Sequence, residues 1–226
     1  SMPERLVLTN MAAELGAETG VVAPDATTFA WLRDAGAPVE DEAAARAWAS
    51  DPDADYEAVH HFDAGALEPM IALPHSPANS VAVAEAEGRR INQAYIGACV
   101  GAKLEDLRMA ARVLAGHRVA AGVRLLVAPA SSRVTEAASR DGTLATLMAA
   151  GATLMPSGCG ACAGMGAGLL ADGEVCISTT NRNFKGRMGH AGAEVYLGSP
   201  YSVAAAAIAG RIVDPRGYLN QRRAAA

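Results

Sequence analysis

Four cysteines occur in the chain, and two of them, Cys159 and Cys162, lie three apart in the glycine-rich stretch "MPSGCGACAGMG". Such a pair suits a redox disulfide, a zinc site or an iron-sulfur site. A thioredoxin-type pair needs no third cysteine and exploits a thiol whose pKa is lowered, commonly at a helix N-terminus. Structural zinc wants four closed ligands, often two such pairs. Only one pair is present here. An iron-sulfur cluster held by Cys99, Cys159 and Cys162 is the third option. Most clusters take four thiolates, so three would leave one iron open to act as a Lewis acid on a substrate oxygen. Cys176, inside the apolar run "EVCIS", reads as a packed core residue, because free cysteine is among the most buried types. Incidental thiols in glycine turns remain the plainer alternative.

A second group of chemically capable residues is "NRNFKGR", residues 181 to 187. Arg182 and Arg187 each carry a planar fork that pairs with carboxylates in bidentate fashion. Read alone, the stretch is equally a surface loop with solvated charges, and Asn181 and Asn183 are equally turn formers. A third group is Asn10 with Glu14, one helical turn apart beside the apolar stripe Leu8, Met11 and Leu15. The triad Asp51, Asp53 and Asp55 imitates the start of a calcium loop, but Tyr56 and Phe62 stand where such a loop needs glycine and glutamate. That segment reads as an acidic surface loop, and the adjacent His60 and His61 lack an evident third ligand.

The elements that must position these groups follow from pattern. "SMPERLVLTNMAAELGAETG" reads as a helix with a Ser1 to Glu4 capping box, Pro3 in its first turn and Gly20 past its end. Residues 41 to 49 read as a short helix. From about residue 90, strands and helices alternate. "INQAYIGAC" is a strand ending at Cys99, residues 103 to 116 an amphipathic helix, and "RLLVAPA" a buried strand. Two helical stretches, "VTEAASR" and "TLATLMAAG", come next, then the strand "EVCISTT" and a helix from Ser199 to Gly210. This alternation predicts a parallel sheet between helices, an α/β fold. Cys99 then sits at the carboxyl end of a strand and "NRNFKGR" follows another, where open α/β sheets bind ligands, while GCGAC lies in the loop after "GATLM".

Composition narrows the function classes. The chain has 226 residues, 51% hydrophobic, with a net charge of -5 and only 4% aromatics. That is enough to bury a full core in one or two domains. It gives no basic footprint for nucleic acid and no polybasic membrane patch. No run of about eighteen uninterrupted apolar residues and no basic-then-apolar leader is evident, so a cytoplasmic protein is expected.

Taken together, "YIGACVGAKLEDLRMAARVL", "GCGAC", "CISTTNRNFKGRMG" and "SPYSVAAAAIAGRIVDPR" resemble the large subunit of the aconitase superfamily, in its isopropylmalate isomerase, homoaconitase and dimethylmalate dehydratase branch. "SMPERLVLTNMAAELGAETGVVAPDATT" is similar to that branch's middle segment. The resemblance implies a three-layer α/β/α fold, with residues 76–226 as the domain carrying the cysteines and 1–75 as an incomplete part of a neighbouring α/β domain. It implies that Cys99, Cys159 and Cys162 hold a 4Fe-4S cluster, that Arg182 and Arg187 bind substrate carboxylates, and that Asn10 and Glu14 lie near the cluster, Glu14 handling the iron-bound hydroxyl or water. The implied reaction is dehydration or isomerisation of a hydroxy di- or tricarboxylic acid. The implied partners are a small subunit or swivelling domain and a preceding N-terminal part of the large subunit, so the chain reads as a fragment, inactive alone. One departure stands out. Val100 and Gly101 follow Cys99 where Thr-Asn is common in the family, which implies altered polar support around the cluster. The competing readings are a cluster-free binding or regulatory module and a thiol redox protein using Cys159 and Cys162.

Overall fold

The computed structural model describes residues 1–220; the last six residues of the expected 76–226 domain lie outside the described residues. Two compact units are distinguished, the first spanning Ser1–Leu67 and the second beginning at Glu68.

In the first unit, helix α1 (Met2–Met11) continues into a 3-10 turn, Ala12–Leu15. The Glu4 carboxylate accepts from the Ser1 amine at 2.9 Å and from its hydroxyl at 2.6 Å. The stop is Gly16 rather than Gly20. Gly16 adopts φ 83°, the left-handed geometry that closes a helix end cheaply only when no Cβ is present. Helix α2 (Ala26–Asp34) is capped by Asp25, which accepts from the Thr27 and Thr28 amides, satisfying donors that the first turn leaves open. The Arg5 guanidinium grips the same carboxylate with both arms, at 2.8 Å and 2.7 Å. That bidentate pair holds the Asp25 pKa well below the usual carboxylate range. Helix α3 (Glu42–Arg46) brings the Arg46 guanidinium over the Phe29 ring at 4.8 Å, a cation–π contact. Phe29 and Ala45 are buried, while Leu8, Leu15, Trp48 and Phe62 are exposed. The stripe Leu8, Met11 and Leu15 is therefore not a buried face of this unit.

In the second unit the described strands form a seven-stranded sheet ordered β2-β1-β7-β6-β3-β4-β5. Its parallel body comprises β3 (Gln93–Gly97), β4 (Arg124–Ala128), the short β5 (Thr153–Leu154), β6 (Val175–Ser178) and β7 (Glu194–Gly198). The hairpin of β1 (Met70–Ala72) and β2 (Ser80–Ala82) adds to β7 in antiparallel sense. The α/β class expected from sequence is the observed one.

Side chains alternate across the pleat. Ala94, Ile96, Leu125, Val127, Val175 and Ile177 face one way, into a core closed by α5 (Leu104–Leu114), α7 (Thr143–Ala149) and α8 (Pro200–Ala209). Helix α5 opens on Lys103, whose amide donates to Asp106 at 2.9 Å and whose ammonium pairs with it at 2.8 Å. Helix α8 opens on Ser199 and Pro200 and stops at the left-handed Gly210, the usual asymmetry of helix ends. Its buried run at 203–207 is small enough to lie close against the sheet. Helix α6 (Ser132–Arg140) packs beside α7. The opposite pleat carries Tyr95, Leu126, Ala128, Cys176, Val195 and Leu197. It is covered by connecting segments that supply Ala161, Cys162, Leu170 and Met188.

Candidate functional site

Strands β4, β3 and β6 are neighbours and parallel, so the segments leaving their carboxyl ends emerge along one edge of the sheet. After β3 the chain makes an unusual turn. Gly97 is extended, Ala98 takes φ 69°, and Cys99 lies inside the four-residue helix α4 (Ala98–Gly101) instead of ending the strand. A buried alanine in the left-handed region costs about 1–2 kcal/mol, so the surroundings must hold it there. Thr179, at the end of β6, does so: its hydroxyl accepts from the Gly97 amide at 3.0 Å and donates to the Gly101 carbonyl at 2.8 Å. A Cβ at Gly101 would collide with the Thr179 carbonyl oxygen. The backbone here leaves no room for a side chain at 101. The result is an exposed Cys99 thiol on a clamped turn.

The second cysteine-bearing segment follows β5, the strand beside β4. Cys159 opens a 3-10 turn, Gly160–Ala163, and its carbonyl accepts from the Cys162 amide at 3.0 Å. Cys159 is exposed, whereas Cys162 points inward and is buried. Burial raises the Cys162 thiol pKa; the Arg187 guanidinium pulls it down, and the neighbouring sulfurs of Cys159 and Cys99 push it up, as desolvation and nearby charge each dictate. The Cys162 thiol therefore feels the charge of both other cysteines. No three Cys, His, Asp or Glu side chains among the described residues are grouped as a single metal ion would need.

The third segment, leaving β6, is pinned from below. Asn183 is fully buried, and its side-chain amide donates to the Leu73 carbonyl at 2.8 Å and to the Val195 carbonyl at 3.0 Å. This anchors "NRNFKGR" to the sheet, so Asn183 is an anchor more than a turn former. Asn181 presents its Oδ1 to the Cys162 sulfur at 3.9 Å. The Arg187 backbone carbonyl would lie 3.2 Å from a Cβ at Gly164, just past the cysteine turn. The Arg187 Nε is buried without an acceptor, as is the Asn183 Oδ1 without a donor. A buried guanidinium donor left open calls for an anionic partner. Arg182 is half-buried in the same loop.

Residues separated by tens of positions thus meet at one edge: Cys99, Cys159, Cys162, Asn181 and Arg187. Cys176 takes no part. It sits in mid-strand β6, 0% exposed, with its thiol pushed up to about 12 by burial. Asn10 and Glu14 belong to the first unit; Asn10 is on α1 and half-buried, and Glu14 lies on the 3-10 turn that follows it. Sequence reasoning missed Tyr95, Ala98 and Thr179. The signal available was Gly97, a glycine ending an apolar strand, which marks close approach of another group.

The aconitase family (aconitate hydratase) model matches residues 1–210. The chain belongs to the aconitase family. Among curated relatives, the 3-isopropylmalate dehydratase large subunit 1 of Methanopyrus kandleri is 48% identical over 223 residues, covering 97% of this chain and 51% of the relative. The 3-isopropylmalate dehydratase large subunit 2 of Archaeoglobus fulgidus is 45% identical, with 97% and 52% covered. The homoaconitase large subunit of Thermus thermophilus is 47% identical, with 94% and 48% covered. The chain spans about half the length of the curated relatives it matches. Within this family frame, the donor set at the sheet edge can be weighed against an iron-sulfur cluster. Three thiols and a buried open cation donor fit such a group, because each thiolate can take a different iron and the sulfur-rich anion can satisfy the guanidinium.

Proposed function

We propose that the chain is the cluster-bearing part of the large subunit of a hydro-lyase acting on a hydroxy di- or tricarboxylic acid of the isopropylmalate or homoaconitate kind. The observation that carries the reading is the convergence of both cysteine-bearing segments and the "NRNFKGR" loop: the Tyr95 phenol oxygen lies against Gly97 and Gly160, and the Asn181 Oδ1 is 3.9 Å from the Cys162 sulfur. Cys99, Cys159 and Cys162 would hold a 4Fe-4S cluster, which when bound supplies an open iron position that acts as a Lewis acid toward a substrate hydroxyl.

The chain's own side chains bind the acid and handle its hydroxyl, while the base that takes the proton from the adjacent carbon would come from the small subunit or swivelling domain. Arg187, with a buried Nε lacking an acceptor, takes one substrate carboxylate, and Arg182 takes another from the same loop. Two anchored forks orient the acid and leave its hydroxyl-bearing carbon toward the thiols. Asn181 holds the Cys162 side of the site. Glu14, by the family resemblance, would handle the hydroxyl or water, giving the leaving hydroxyl the proton it needs to depart as water, and Asn10 would assist it. Residues 1–75 belong to a neighbouring α/β domain in this reading, and 76–226 to the cluster domain. The partners are a small subunit or swivelling domain and an N-terminal portion of the large subunit, in the cytoplasm. No described helix is long and apolar enough to cross a membrane.

A thiol-redox role for Cys159 and Cys162 fits less well. It leaves the buried Arg187 Nε, which has no acceptor, without a role. The deciding experiment combines this sequence, within a complete large subunit, with a small subunit and measures dehydration of isopropylmalate, homocitrate and dimethylmalate. Turnover of one of these acids, abolished by Arg187→Ala, is expected. Turnover that is indifferent to Arg187→Ala would overturn the carboxylate assignment.

A further inference from the structure

Tyr95 is a fully buried aromatic that no part of the proposed chemistry uses. It stands on β3 facing the loop-covered pleat, and its ring folds along its own strand toward the carboxyl end. A Cβ built at Gly97 would collide with the ring Cε1 and lie 2.8 Å from the phenol oxygen. Gly97 is therefore glycine because the ring of Tyr95 occupies its side-chain space. At the far end of the ring, a Cβ at Gly160 would lie 3.3 Å from the same phenol oxygen. Ala98, Ala161 and Cys162 complete the packing around the ring.

One side chain thus touches both cysteine-bearing segments, the turn that presents Cys99 and the turn that presents Cys159 and Cys162. We infer that Tyr95 is a positioning residue that sets the separation between Cys99 and the turn of Cys159 and Cys162, the ring acting as spacer and the phenol oxygen as its point of contact at Gly160. A leucine there would be too short to reach Gly160. A phenylalanine would keep the ring against Gly97 and remove the phenol oxygen that meets Gly160. The inference deepens the proposed cluster site and rests on it only for its iron readout.

The test uses the full chain with Tyr95→Phe and Tyr95→Leu. In the metal-free protein, the alkylation rate of Cys162 and the yield of a short bis-thiol cross-link between Cys99 and Cys162 are read by mass spectrometry. After anaerobic reconstitution, the rate of iron loss to a chelator and the visible spectrum are read. Tyr95→Phe is expected to melt close to the parent yet alkylate Cys162, and lose iron, about fivefold faster, the consequence of the small void left against Gly160. Tyr95→Leu is expected to lose most of the cross-link and most of the iron. Parent-like alkylation and iron loss in Tyr95→Phe, or a parent-like cross-link yield in a folded Tyr95→Leu, overturn the inference. Should Tyr95→Leu not fold, Tyr95→Phe decides alone. If the parent binds no iron, the cluster reading falls, and alkylation and cross-linking in the metal-free chain still decide the role of Tyr95.

Discussion

The two faces of the sheet are built on different principles. One face buries aliphatic side chains beneath α5, α7 and α8, with Leu107, Leu114, Ile96 and Ile177 fully enclosed and shape the main requirement. The other is roofed by glycine-rich connections over Tyr95, Cys162, Cys176 and Met188, and polar groups such as Gln93 and Ser178 are buried there with hydrogen-bond partners. Helices can cover a face by volume alone. Loops can cover one only if their backbone is tied down atom by atom, which is what Thr179, Asn183 and Tyr95 do. The face that is harder to build is the one that brings the thiols together.

This contrast can be broken from either side. The largest stability loss is expected on the helical face, where Leu107 is fully buried. Leu107→Ala should cost about 3 kcal/mol in urea unfolding while leaving Cys162 alkylation unchanged in the folded protein. Gly101→Ala should cost about 2 kcal/mol, the usual penalty of overpacking. The added methyl is forced against the Thr179 carbonyl, so unlike Leu107→Ala this variant should also alter the reactivity of Cys99. Asn183→Ala should cost a comparable or slightly smaller amount, about 1–2 kcal/mol, the cost of leaving buried acceptors unsatisfied. The acceptors concerned are the Leu73 and Val195 carbonyls. Its distinguishing mark is a loosened segment at 181–187, seen as faster amide exchange.

The smallest effect is the pH dependence from Cys176. Burial raises this thiol from an ordinary 9.0 to about 12, so the folded state holds its proton more tightly than the unfolded chain does. Its contribution to stability is complete below the unfolded value and is lost as pH climbs through that value toward 12, as proton linkage requires. Around pH 10 the loss should be on the order of 1 kcal/mol, and Cys176→Ala should flatten that part of the profile. An unaltered slope in Cys176→Ala would assign the alkaline loss elsewhere, Tyr95 being the next group raised by burial.

Much of the second unit was legible because its signals are local. Ser199, Pro200 and Gly210 bound α8 in sequence as they do in space, and the apolar stripe of α5 is the face that packs. The cysteines and "NRNFKGR" were legible by residue type and by their place after strands. The rest depends on distant partners. The hairpin strands β1 and β2 have three residues each, and β1 joins the sheet only through pairing with β7, a strand far along the chain. The left-handed Ala98 has no local cue, since alanine rarely adopts that conformation and only the Thr179 clamp explains it. Gly16 displaced Gly20 as the stop because the helix tightens into a 3-10 turn after Met11. Tyr95 was invisible as a site residue because its importance lies in the register of two loops, not in its own chemistry.

The most direct test of the account is the iron and sulfide content per chain after anaerobic reconstitution, compared across Cys99→Ser, Cys159→Ser, Cys162→Ser and Cys176→Ser. The account predicts that the first three lose the bound iron and the accompanying visible absorbance, while Cys176→Ser keeps both. Full iron in Cys99→Ser, with the fold intact, would contradict it.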